Sequence, residues 1–325
     1  MPKLTETAER VLSLITDFGH GIYAIDSGFG RPGLDAVHLM VEGDRAALID
    51  TAVNSGVPRV MEALKQLGLT AGQVDWVILT HIHLDHAGGA GALMALLPRA
   101  KLLVHPRGAR HMADPSKLLA GTVAVYGARA TREMYGELLP VPRERIIETQ
   151  HGQAIDFNGR ELLLLDTPGH ARHHISIRDS RTGHFFSGDT FGMSYRELDR
   201  DGRQFVFPTT SPVQFDPPAL HRSIDMLLAY QPEAVYVTHY SQVTDIPRLA
   251  ADMHRQIDDY AELAMIHRTA GTSRHELIKS GLTRLVFEEA VRRGWALQGD
   301  ALLPLIGMDL ELNAQGLGCW LDSRS

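Results

Sequence analysis

One short run concentrates side chains that bind cations: Thr80-His81-Ile82-His83-Leu84-Asp85-His86, followed by Ala87-Gly88-Gly89. The chain is rich in histidine, with 17 in 325 residues. Even so, an H-x-H-x-D-H string arises by chance roughly 0.003 times in a chain of this composition, so a solvated polar loop accounts for it poorly. Residues i and i+2 of an extended segment project to one side, so His81 and His83 can grip one ion together. As the chain turns into a Gly-rich helix start, Asp85 and His86 swing toward a second position. Neutral imidazole and carboxylate are ligand types that suit zinc, and also iron or manganese.

Two ions need more donors than this run supplies. The same residue types recur where apolar runs end. His170 lies in Thr167-Pro168-Gly169-His170 after Leu162–Leu165, Asp189 in Ser187-Gly188-Asp189-Thr190, and His239 after Val235-Tyr236-Val237-Thr238. Strand-to-loop junctions are where α/β folds build their sites. Asp50, in Leu48-Ile49-Asp50-Thr51, sits at another such junction. It reads as a hydrogen-bond partner of a ligand or as a turn former. His174 reads as a stabiliser of its loop, and His105, His111, His151 and His173 as surface or packing residues. Phe191 and Tyr195 lie just past Asp189 on a Gly-containing loop. Tyr195 is either a donor to a substrate carbonyl or an aromatic packed under that loop. Met193 is expected to line an apolar pocket, and Lys117 and Arg129 to be anion contacts or, more simply, surface cations.

The elements that position these side chains follow from periodicity. Gly21–Ser27, Ala36–Val41 and Ala46–Asp50 read as strands, Pro58–Leu67 as a helix, Val74–Leu79 as a buried strand, Gly91–Leu97 as a helix and Lys101–Val104 as a strand. That β-α-β-α-β order implies parallel pairing in an α/β layer fold. The Pro-bounded stretch 106–142 reads as a helical insertion. Strands resume at Arg145–Glu148, Gln153–Phe157, Glu161–Asp166, His174–Arg178 and His184–Ser187, then a helix at Pro217–Leu228 and a strand at Ala234–Thr238. Residues 245–294 read as amphipathic helix, and Ala301–Leu312 as a short strand-like tail. The halves 21–105 and 145–240 resemble each other in order, as two packed sheets with helices outside. The organisation expected is a catalytic domain over 1–245, containing the 106–142 insertion, with a helical extension over 246–325 packed on it.

Composition narrows the function. A 44% hydrophobic and 22% charged chain is globular, and a net charge of −7 repels phosphate backbones and anionic headgroups. The expected partner is therefore a small-molecule substrate, with no nucleic acid and no membrane; a homodimer is compatible with the sequence. The lone Cys319 excludes a disulfide framework and reads as inert. The early apolar run Val11–Ile15 is too short for a signal segment. The chain reads as cytoplasmic and complete.

Over about residues 20–245 these motifs resemble the metallo-β-lactamase fold superfamily. The resemblance implies a four-layer αβ/βα sandwich with metals at one edge of the two sheets. It implies that His81, His83 and His170 hold one metal, that Asp85, His86 and His239 hold a second, and that Asp189 bridges both. Asp50 resembles the acidic residue found near the site in that family. A β-lactamase branch with a Cys ligand does not fit, since Cys319 lies far from the motifs. The flavodiiron type places Glu where His83 stands, and the nucleic-acid-processing branch usually carries large added domains. What remains resembles glyoxalase-II-like and lactonase-like hydrolases. The resemblance thus implies a dinuclear hydrolase of a small ester, thioester or lactone, with two divalent ions, zinc foremost and iron or manganese as alternatives. A metal-bridging hydroxide would be the nucleophile, since two cations sharing a water lower its pKa toward neutrality. Asp85 would orient that water and take its proton. The alternative on the same fold is a mononuclear iron oxygenase resembling persulfide dioxygenases.

Overall fold

The structure, a computed structural model, describes residues 14–324; most of the Val11–Ile15 run lies outside them. Four strands open it as an antiparallel meander: β1 (Ile15–Asp17), β2 (Ile22–Asp26), β3 (Ala36–Glu42) and β4 (Arg45–Ile49). Helix α1 (Val57–Gln66) then leads to β5 (Val74–Ile78), which pairs parallel with β4. Helices α2 (Leu84–Ala87) and α3 (Ala90–Leu96) lead to β6 (Lys101–Val104), also parallel. The insertion forms α4 (Pro106–Ala113), α5 (Ser116–Tyr126) and α6 (Ala128–Tyr135) before the chain returns as β7 (Ile146–Glu148), parallel to β6. β7 therefore completes the first sheet instead of opening the second half. A helical excursion that starts and ends at one sheet edge returns the chain beside the strand it left.

The second sheet is built from β8 (Gln153–Phe157), β9 (Arg160–Asp166), β10 (Ile175–Asp179) and β11 (Phe185–Gly188), all antiparallel. After α7 (Pro217–Leu228), β12 (Val235–Val237) joins β11 in parallel, and β13 (Ser241–Val243) closes the edge. Helices α8 (Ile246–Ile266), α9 (Arg274–Arg293) and α10 (Leu303–Asp322) follow. The two sheets face each other through a continuous apolar layer. Ile22, Met40, Ala47, Ile49, Ile78 and Leu103 of one sheet meet Phe157, Leu162, Leu164, Ile177, Phe186 and Tyr236 of the other. α1 and α3 cover the outer face of the first sheet, while α7 through α10 cover that of the second. This is the four-layer αβ/βα sandwich with a helical insertion and a C-terminal helical extension. Among the described residues no helix is long and apolar enough to cross a membrane.

The strand expected at Ala301–Leu312 is a helix. Pro304 stands in the first turn of α10, and Ile306, Leu310, Asn313, Leu317 and Trp320 are buried at alternating spacings of four and three. A short apolar run does not distinguish strand from helix, and the 3.6-residue period is visible only once the window reaches Trp320.

Candidate metal centre

Each strand that faces the open edge of the sandwich ends in a functional loop. β4 ends at Asp50, β5 runs into His81–His86, β9 into His170, β11 into Asp189 and β12 into His239. The glycines let these loops approach closely. A Cβ on Gly89 would fall 2.7 Å from the Thr51 carbonyl oxygen. Thr51 in turn donates its N–H and its hydroxyl to the His86 carbonyl, at 2.7 and 2.9 Å. Gly188 has φ 48°, and a side chain there would collide with His174 and Thr80 at 2.7 Å. Only a glycine lets β11 deliver Asp189 between those two residues.

The donor atoms converge in two groups. In the first, His83 Nδ1 lies 3.0 Å from His81 Nε2 and 2.9 Å from His170 Nε2, with Asp189 Oδ2 3.5 Å from His170 Nε2. In the second, Asp85 Oδ2 is 3.4 Å from His239 Nε2 and 3.6 Å from His86 Nε2. Asp189 Oδ1 stands 3.3 and 3.7 Å from His86 Nε2 and His239 Nε2. Asp189 thus turns one oxygen to each group. His81-His83-His170 and Asp85-His86-His239 each meet the spacing of a metal-ligand triplet, as does His81-His86-Asp189.

The far side of each ring sets its tautomer. His86 Nδ1 donates to Asp50 Oδ2 at 2.8 Å, and His239 Nδ1 to the Leu34 carbonyl at 3.1 Å. His170 Nδ1 donates to the Thr209 carbonyl at 3.3 Å, and His81 Nδ1 lies 3.2 Å from the Thr80 hydroxyl, which itself donates to Asp50. With the proton held on Nδ1, the inward Nε2 of His81 and His170 carries a lone pair, as a metal ligand requires; His86 and His239 present one when their second proton leaves, and His83 faces the group through Nδ1. His174 Nε2 accepts the Asp189 N–H at 3.1 Å and its Nδ1 meets Thr167 and Thr190, so it holds the bridging residue's backbone. His173 packs at 5.6 Å against the His83 ring, and its Nδ1 accepts the Ile82 N–H at 3.4 Å.

The two groups differ in charge. Burial, with neighbouring imidazoles adding to it, holds His81 and His83 well below the usual histidine range, and burial lowers His170. Burial also disfavours charge on His86 and His239, but Asp189 and Asp85 override it. They raise His86 well above its ordinary value and push His239 up to about 9. Burial alone would raise Asp85 and Asp189; the facing histidines hold both well below the carboxylate range. His86 Nε2 and Asp189 Oδ1 are buried with no hydrogen-bond partner. An unpartnered imidazole nitrogen and an unpartnered carboxylate oxygen 3.3 Å apart are what a cation would satisfy.

The sequence profile of the metallo-β-lactamase superfamily matches residues 30–239, which spans every one of these donors. The chain belongs to the metallo-β-lactamase superfamily. Its relatives include a metallo-beta-lactamase fold-containing protein of Sulfurisphaera tokodaii, 24% identical over 73% of this chain and 84% of the relative. A hydroxyacylglutathione hydrolase of Acidiphilium cryptum is 29% identical over 70% of this chain and 71% of its own length. Among solved structures, the Sulfolobus tokodaii superfamily protein superposes with a TM-score of 0.62 at 23% identity, covering 92% of this chain and 98% of that one. A metallo-beta-lactamase family protein of Thermus thermophilus gives 0.65 at 19% identity, covering 94% of each. These superpositions establish the fold.

On this metallo-β-lactamase scaffold other expected residues fall in distinct places. Tyr195 is fully buried, its hydroxyl donating to Asp309 Oδ2 at 3.1 Å and standing 3.6 Å from Met193 Sδ. Phe191 and Met193 belong to the core under the loop, so Met193 does not line a pocket. Lys117 is exposed, and Arg129 pairs with Glu133 on the surface of α6, in keeping with the surface-cation reading of both. Asp309, Tyr126, Tyr135 and Arg31 are the neighbours of the site that sequence reasoning missed. The charges of Asp85 and Asp309 act on Tyr126, and those of Asp85 and Asp35 on Tyr135. Arg31 stacks over the Tyr195 ring at 4.5 Å. The insertion, through Tyr126 and Tyr135, and α10, through Asp309, therefore lie near enough to the donors for their charges to interact. Tyr126 and Tyr135 carried no pattern beyond helix periodicity, and the strand reading of 301–312 hid the face that Asp309 shares with Asn313.

Proposed function

We propose that this protein is a dinuclear metal-dependent hydrolase of a small ester, thioester or lactone. The observation that carries the reading is Asp189, which offers one oxygen to each of two complete donor groups. His81, His83 and His170 would hold one ion and Asp85, His86 and His239 the other. Zinc suits this nitrogen and oxygen set best, with iron or manganese also compatible. Two such ions would supply Lewis acidity, acidifying a shared water and polarising the substrate carbonyl. The protein's own part is positional and acid–base. Asp50, Thr80, Thr209 and Leu34 lock the imidazoles, and His174 fixes the backbone of Asp189. Asp85 remains partly exposed at the cleft, with 26% of its side chain open. Its Oδ1 makes no hydrogen bond among the described residues and is available to take the proton of an attacking water. The hydroxyacylglutathione hydrolase relatives, whose name denotes a thioester-cleaving activity, support a carbonyl substrate. The mononuclear oxygenase alternative leaves Asp85, His86 and His239 without a role.

Element-resolved metal analysis of protein purified without added metal, followed by turnover of a thioester and lactone panel, tests this reading. About two ions per chain are expected, with hydrolysis lost on chelation and in His83→Ala and Asp189→Ala. A single iron with oxygen uptake on a persulfide, and no hydrolysis, would overturn it.

A further inference from the structure

Helices α7 and α8 carry the same two residue types at the same spacing. His221 and Asp225 lie four residues apart on α7, and His254 and Asp258 four apart on α8, so each pair shares a helix face. The faces meet and the pairs cross. His221 Nε2 contacts Asp258 Oδ1 at 3.0 Å, and His254 Nε2 contacts Asp225 Oδ1 at 3.1 Å. Between them the two Nδ1 atoms stand 2.6 Å apart. The ring planes are 11° apart and the centroids 4.9 Å apart, which is the nitrogen gap plus one ring radius on either side. The rings therefore meet edge to edge, nitrogen against nitrogen.

Each Nε2 faces a carboxylate and keeps its proton for it, so two neutral rings would turn their Nδ1 lone pairs on each other. Something positive has to stand between them. A histidine that gives its outer N–H to a carboxylate and its other nitrogen to an ion is the usual form of a metal-bound imidazole. That form occurs twice here, with both free nitrogens aimed at one point. The two carboxylates balance a divalent charge, and Arg255, the cation next to His254 in the chain, is turned to Asp259 and Glu289 at 3.0 and 2.6 Å. Two nitrogens on one tetrahedral zinc stand about 3.3 Å apart, so the rings need to part by about 0.7 Å. Their side chains are 24% and 27% exposed, which leaves them that freedom and admits an ion with its water. The histidines of the metal centre approach one another in the same compressed way, at 2.9 and 3.0 Å.

We propose that His221 and His254 form a further metal site on the α7–α8 seam, separate from the centre at the sheet edge. Its ion is a divalent cation that accepts imidazole, such as zinc or copper. The two Nδ1 atoms hold it, water completes its shell, and Asp225 and Asp258 orient the rings. The ion enters as the proton shared between the rings leaves, so binding releases about one proton. The site also has a structural consequence. Helix α7 braces the loop that delivers His170, since the Asp216 N–H donates to the Gly169 carbonyl at 2.7 Å and the Ser223 hydroxyl to the Pro168 carbonyl at 2.6 Å. An ion across the seam fastens that helix to the C-terminal extension.

Zinc titration of the full chain by calorimetry and equilibrium dialysis tests this, with the wild type set against His221→Ala, His254→Ala and His83→Ala. The wild type should bind about one zinc more per chain than either seam variant, a difference that holds however many ions the sheet-edge centre takes. His83→Ala should lose zinc at the sheet edge and keep the seam ion. Asp258→Ala should weaken the seam ion by about 10- to 100-fold. Zinc should also raise the melting temperature of the wild type by more than that of His221→Ala, with circular dichroism checking the fold of each variant. His221→Gln, which keeps the bulk of the side chain, should lose the ion equally and serves if His221→Ala unfolds. Equal zinc stoichiometry in the wild type and the folded seam variants would overturn the proposal and leave only a shared proton between the rings.

Discussion

Asp50 braces the metal centre from behind without being one of its donors. Its two oxygens accept from the Thr80 N–H and hydroxyl, from His86 Nδ1 and from the Thr238 hydroxyl, all within 3.1 Å. Every partner is a donor, so only a full carboxylate satisfies the set. Its φ of 61° is one that Asn also adopts readily, which makes Asp50→Asn a clean probe. The amide nitrogen would face a donor, and we expect metal affinity to fall by about 10- to 100-fold with little change in fold, as read by metal titration and circular dichroism. A second expectation follows from charge. His86 and His239 are raised and so hold protons at neutral pH, whereas His81, His83 and His170 are lowered and do not. Metal uptake at the Asp85-His86-His239 group must displace those protons, so affinity there should weaken as pH falls from about 9 toward 6. Titration in lightly buffered solution should show one equivalent binding with little acid release and the next with clear release; equal release at both steps would contradict the assignment.

Helix α10 shows how an element far along the chain becomes part of a site. Its apolar positions pack into the α8–α9 core, and its polar positions Asp309 and Asn313 face the 208–210 loop and Tyr195. Asn313→Ala would leave the buried Thr210 N–H and Pro208 carbonyl unpaired. We expect a loss of about 1–3 kcal/mol in stability by denaturant unfolding, with a fall in kcat/KM because His170 leans on Thr209. The strands that carry the donors were legible because each is a short apolar run ended by a polar ligand type. The α10 face was not legible: nothing local marks Asp309 as the partner of Tyr195, and an apolar dozen residues fits either period.

The whole sandwich is clamped at the edge away from the metals. Arg160 of β9 donates to both oxygens of Asp179 in β10, at 2.6 and 2.7 Å, and also to the His20 carbonyl of the first sheet. Burial opposes the charge of Asp179, but the hydrogen bonds from Arg160 and Thr182 bring it down to about 2. A folded-state value below the unfolded one stabilises above about pH 4 and is lost as pH falls from there toward 2. Arg160→Ala should therefore cost about 3–5 kcal/mol at neutral pH by leaving a buried carboxylate without its cation. That deficit should shrink below about pH 4, which urea unfolding from acid to neutral pH would show; a deficit independent of pH would rule out the ion pair as its source.

The donor residues, the strands that end in them and the layered α/β order were readable from the sequence because each rests on local chemistry: residue type, spacing and a period of two. Pairing was less so. Nothing in Ile146–Glu148 says that β7 joins β6 across the insertion instead of opening the second sheet, because strand partners are chosen by long-range packing. Tertiary structure alone decided which oxygen of Asp189 faces which group, that Tyr195 spends its hydroxyl on Asp309, and that the C-terminal helix docks on the 208–210 loop beside His170. Those contacts join residues far apart in the chain, such as Thr210 with Asn313 and Tyr195 with Asp309. Their energy comes from burial and hydrogen-bond satisfaction in the assembled fold, which no local window of sequence contains.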